Sequence, residues 1–124
     1  MKFLFVIFLS LLSQIVIAQE SATVIIDAIN QSDGKIISHY FNEDTDVTVL
    51  DNDESGNEGS LLVSRFFENN KTVSFRIKHE GTSKLGNTYR IGDLKTSNGD
   101  YRVTFFTKKT SAGIQVIQFK IEEN

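Results

Sequence analysis

The chain contains no cysteine and no proline among its 124 residues. Without cysteine there is no disulfide framework, no thiolate nucleophile and no cysteine-based zinc cluster. A hydrophobic core must therefore hold the fold, and the ten phenylalanines and many valines and isoleucines supply it. Histidine is scarce. His39 and His79 have no third ligand at a recognisable spacing, so no His-based metal or catalytic site is expected. There is no Gly-x-Ser-x-Gly elbow and no glycine-rich phosphate loop. The glycines of "GDLKTSNGD" lack the strand-to-helix context such a loop needs. Positive charge is sparse too. Lys108 and Lys109 form one small basic pair in a chain of net charge −3, which argues against nucleic-acid binding. These absences exclude an enzyme, and they leave no catalytic, cofactor-binding or metal residue to name.

Long apolar runs are missing after residue 18. Before it, Lys2 precedes an apolar run from Phe3 to Ile17, broken only by Ser10, Ser13 and Gln14. The run closes on Val16-Ile17-Ala18, with small residues where a signal peptidase needs them. It is shorter than the about 20 apolar residues that span a bilayer. Residues 1–18 thus read as a cleaved signal peptide and 19–124 as a single domain. No cysteine follows the leader, so a lipoprotein is excluded. An exported domain without disulfides points to a bacterial protein, periplasmic or extracellular. Asn30 and Asn70 match glycosylation acceptors, which matter only in a eukaryotic secretory pathway.

Charge is unevenly spread. Seven acids and no base lie between Glu43 and Glu58, whereas ten Lys/Arg face four acids between Arg65 and Lys109. Such asymmetry can steer a charged partner.

What the chain does have is alternation. "TVSFRIKH" (72–79) places Val73, Phe75, Ile77 and His79 on one face; "YRVTFFTK" (101–108) does so with Tyr101, Val103 and Phe105; "IQFKIE" (117–122) with Ile117, Phe119 and Ile121. A period of two is the signature of a half-buried strand. "ATVIIDAI" (22–29), "KIISHYF" (35–41), "DVTVL" (46–50) and "LLVSRFF" (61–67) are further strand candidates, rich in β-branched and aromatic residues. "TYRI" (88–91) is a short eighth. Asp33-Gly34 supplies hairpin chemistry between the first two. These features predict an all-β, antiparallel, immunoglobulin-like sandwich of about seven strands.

Two surfaces invite a functional reading. In "DNDESGNEG" (51–59), Asp51, Asp53 and Ser55 stand at alternate positions before Gly56, as in the first half of a calcium loop. The final ligand position of a twelve-residue loop is Leu62, and no helix pattern flanks it, so a solvated turn between two strands is the favoured reading. The last strand, "GIQVIQFKIEE", has high β-propensity, and a terminal strand can lie on a sheet edge and pair with a partner.

Three stretches, "SGN" (55–57), "SRFFENNKTVSF" (64–75) and "DYRVTFFTKKTSAGIQVIQFKIEE" (100–123), resemble the small periplasmic immunoglobulin-like chaperones of curli (functional amyloid) assembly, of Bacteroidota type. The resemblance implies an exported, non-enzymatic sandwich acting on an amyloid subunit, and it carries over no functional residue. "DLKTSNGDYRVTFF" (93–106) also looks like the C-terminal sandwich domains that address proteins to type IX secretion. The expected function is an exported, non-enzymatic binding module with a protein partner at its edge strand or charged face. The alternatives are a structural or adhesive envelope protein and a calcium-dependent ligand binder.

Overall fold

The computed structural model describes residues 22–124. The signal peptide expected at 1–18 lies outside them. The described chain forms α1 (Thr23–Asn30), α2 (Gly34–His39), β1 (Asp46–Val49), β2 (Asn52–Ser55), α3 (Gly56–Asn69), β3 (Thr72–Thr82), β4 (Thr88–Thr96), β5 (Gly99–Thr110) and β6 (Gly113–Glu123). The strands build a single six-stranded sheet in the order β2-β1-β6-β5-β4-β3. Every neighbour is antiparallel except β1 and β6, which run parallel. The expected all-β sandwich is therefore wrong. This is an α+β fold, with helices packed on one face of one sheet. Among the described residues no helix is long and apolar enough to cross a membrane.

Three expected strands are helices, and their burial shows why. In α1 the buried residues are Ile25, Ala28 and Ile29. In α3 they are Gly59, Val63, Phe66 and Phe67. Both sets follow the three-and-four spacing of a helix face, not a period of two. High β-propensity in "ATVIIDAI" and "LLVSRFF" masked that spacing, because tertiary burial outweighs local preference. The Ser32-Asp33-Gly34 stretch is a helix-to-helix joint, not a hairpin. The Asp33 carboxylate accepts the Ile36 amide at 3.1 Å and caps α2. A side chain at Gly34 would sit 2.7 Å from the Ser64 Cα, so glycine permits the close crossing of α2 and α3.

The core lies between sheet and helices. Ile25, Ile29, Ile37, Val63 and Phe67 face Val47, Leu94, Val103, Phe105, Val116, Phe119 and Ile121, each at most 1% exposed. Burying one such side chain is worth about 1.5–3 kcal/mol. Phe105 and Phe119, directly paired across β5 and β6, stack with centroids 6.1 Å apart. Tyr101, Val103 and Phe105 do turn inward, as alternation predicts: Val103 and Phe105 are fully buried and Tyr101 packs edge-on against Phe66.

Bulges break the alternation elsewhere. Phe106 pairs with Gln118 but Thr107 pairs with Val116, so Ile117 is the extra residue in β6. Val116, not Ile117, is buried beside Phe119. In β3, register shifts at Val73 and Lys78 leave Val73 72% exposed and His79 on the surface, so the expected row of Val73, Phe75, Ile77 and His79 is not one face. Bulges bend a strand and spoil its free edge for pairing. β3 and β2 are the edges of the sheet, whereas β6 is held between β1 and β5. The expected edge role of the last strand is thereby overturned.

Candidate functional site

The inner face of the sheet changes character along its length. Toward one end the inward positions of β4 and β5 are Leu94 and Val103, both buried. Toward the other they are Arg90, Thr88 and Thr107. Thr88 and Thr107 stand directly opposite one another with hydroxyls 2.7 Å apart. Arg90 is the next inward residue of β4, two positions from Thr88. Here, among the described residues, a cavity of about 570 Å³ opens. Its walls are the β3–β4 loop, the β5–β6 hairpin with Lys108, Lys109 and Ile114, and Ala22 at the start of α1.

The loop wall is ordered by its own backbone. The Ser83 amide donates to the Asn87 carbonyl at 2.7 Å, and Gly86 N donates back to the Ser83 carbonyl at 3.0 Å. Leu85 is carried at its tip, 88% exposed. The Ser83 hydroxyl is buried with no hydrogen-bond partner among the described residues.

Arg90 is the charged group at the cavity floor. Its side chain is 21% exposed, and its Nε lies 3.3 Å from a carboxylate oxygen of Glu80, directly across in β3. The contact is poorly aligned, so Nε is covered yet makes no hydrogen bond. Glu80 is 64% exposed and stays hydrated. The cavity lining among the described residues holds no histidine, cysteine or carboxylate.

The residues singled out as a calcium loop lie elsewhere and do not converge. Leu50 and Asp51 make the two-residue turn between β1 and β2; Asp53 lies on β2; Ser55 ends that strand and stands before α3. The stretch is thus a short edge strand followed by a helix, not a loop between two strands, and Leu62 lies inside α3. The Thr48 hydroxyl donates to Asp53 at 2.7 Å. Among the described residues no group of three or more His, Cys, Asp or Glu is placed to hold a metal ion. His39 ends α2 with its ring edge-on to Tyr40, and His79 lies on β3.

Sequence reasoning did not single out Arg90, Thr88 or Thr107. A signal was present: extending the Tyr101, Val103, Phe105 alternation by one step puts Thr107, a polar residue, on the apolar face.

The family model described as "Domain of unknown function (DUF4783)" matches residues 22–122. No curated protein matches the chain. Among solved structures, a DUF4783 protein from Bacteroides ovatus superposes with a TM-score of 0.73 at 24% identity, covering 86% of this chain and 97% of that one. A domain of unknown function with a cystatin-like fold from Nostoc punctiforme gives 0.60 at 13% identity, covering 82% and 72%. An NTF2-like protein of unknown function from Cytophaga hutchinsonii gives 0.56 at 11% identity, covering 81% and 83%. The fold is thus NTF2-like or cystatin-like, with bacterial relatives. The likeness to immunoglobulin-like curli chaperones is overturned by these matches, and the type IX sandwich likeness falls with the sandwich.

Proposed function

We propose, from the premise that the chain belongs to the DUF4783 family, that it is an exported, non-catalytic module that holds a small molecule in the cavity at the Thr88–Arg90–Thr107 end of its sheet. One observation carries this reading: the charged side chain of Arg90 and the paired hydroxyls of Thr88 and Thr107 stand at inward positions of β4 and β5 where a cavity opens. Buried polar groups are costly unless partnered, and the covered Arg90 Nε makes no hydrogen bond there, only a misaligned ion pair with Glu80. A cavity of this size with a few convergent polar groups is the usual form of a small-molecule site. Its lack of an acid–base pair supports binding over catalysis. The leader at residues 1–18 supports export. The reading is tested on isotope-labelled protein beginning at Gln19, titrated with a fragment library by NMR. Amide shifts clustered at Thr88, Arg90 and Thr107 are expected; a library that moves none of them refutes the site.

The outer face supports a second reading, a protein contact. Tyr89 and Phe106 pair there at 5.8 Å, half-exposed, on the face opposite to Phe105. Phe106→Lys would then raise the concentration needed for self-association in sedimentation velocity, or abolish capture by a partner, without moving the fragment shifts.

A further inference from the structure

We infer that the molecule held at Arg90 is an amphipathic anion, an oxyanion head on a short apolar tail. This rests on the small-molecule reading above and adds its chemistry. Three cations, Arg90, Lys108 and Lys109, line the cavity, and no carboxylate does. Arg90 is the group best placed to select charge. A guanidinium offers five donors in a planar fork that matches an oxyanion in two parallel hydrogen bonds. Only Nε is engaged, by Glu80, at 3.3 Å and out of line. The Arg90 side chain forms no hydrogen bond and no other ion pair among the described residues.

The surroundings make that charge effective. At 21% exposure the Arg90 side chain is largely shielded from water, so its field is screened less than that of a surface lysine. The Thr88–Thr107 pair needs one proton between its two oxygens, which leaves the second hydroxyl proton free to donate to an anion. Apolar surface is provided for a tail by Leu85 at the loop tip, Ile114 on the hairpin and Ala22 at α1. Among the described residues Leu85 is otherwise exposed.

The test uses protein beginning at Gln19 and four probes, hexanoate, hexanamide, hexylammonium and acetate, followed by NMR titration at low salt. Hexanoate is expected to bind about tenfold or more tightly than hexanamide, the gain of one charge-assisted contact. Hexylammonium is expected to bind more weakly than either, and acetate more weakly than hexanoate. Arg90→Gln, checked for an intact fold by circular dichroism, is expected to erase the preference for hexanoate over hexanamide. Glu80→Gln frees the guanidinium and is expected to tighten hexanoate; because Glu80 is exposed, this variant also serves if Arg90→Gln unfolds. Equal affinity for hexanoate and hexanamide, or an unchanged preference in Glu80→Gln, overturns the anion assignment and leaves the small-molecule site standing. Failure of all four probes to shift Thr88, Arg90 or Thr107 removes both.

Discussion

The Thr45 hydroxyl donates to the Val116 carbonyl at 2.7 Å, across 71 residues of chain, with Thr45 only 1% exposed. The Val116 amide is taken by the Tyr40 carbonyl at 2.8 Å. Val116 lies next to the bulge at Ile117, and β1 begins to pair with β6 only from Gln118. The segment joining α2 to β1 therefore satisfies both backbone groups that the strand leaves open. Thr45→Val keeps the shape but strands a buried carbonyl. It should destabilise by about 1–3 kcal/mol, seen as a fall in Tm of several degrees, whereas Thr45→Ser should lose less than half of that.

Gly34 sets propensity against packing. Alanine is favoured over glycine in a helix by about 0.5–1 kcal/mol. A Cβ at Gly34 would meet the Ser64 backbone at 2.7 Å, and backbone cannot rotate away. Overpacking of this kind costs about 1–3 kcal/mol. Gly34→Ala should therefore be destabilising on balance in urea unfolding, and a rise in the midpoint would refute the close crossing of α2 and α3.

The bulge in β6 predicts opposite outcomes for neighbours. Val116→Lys should abolish folding, because it places a charge in a fully buried position. Ile117→Lys should leave a folded protein with stability reduced by no more than about 1 kcal/mol, typical of a partly exposed site. Strict alternation through Ile117, Phe119 and Ile121 predicts the reverse, so proteolysis of the two variants separates the readings.

The acidic hairpin is a surface feature. Asp53→Ala removes an exposed bond from Thr48 and should change stability by less than about 0.5 kcal/mol. Millimolar calcium should shift the Tm of this variant and of the parent equally. A calcium gain that Asp53→Ala abolishes would restore a metal role for the stretch.

These contrasts mark what the sequence makes legible. The long strands read correctly where one face meets solvent, as in 101–108, because alternation then reports burial directly. Strand 72–79 was legible as a strand but not in its facing, since its bulges at Val73 and Lys78 leave no compositional mark. The helices were not legible. α1 and α3 bury Ile, Val and Phe, whose preference is for strands, and burial in the common core outweighs that preference. The candidate site was hidden for a related reason. Arg90, flanked by Tyr89 and Ile91, looks like an ordinary outward residue until the sheet shows that it faces in.

The lone parallel pairing has a kinetic consequence. β1 and β2 form a local hairpin, and β3, β4 and β5 form a local meander, but the two halves meet only through β6. Until residues 113–123 arrive, β1 and β5 each present an open strand side, and closure spans most of the domain. Such long-range closure slows folding. A chain threaded through a membrane before it folds meets the same order: the sheet stays divided until its last strand is delivered.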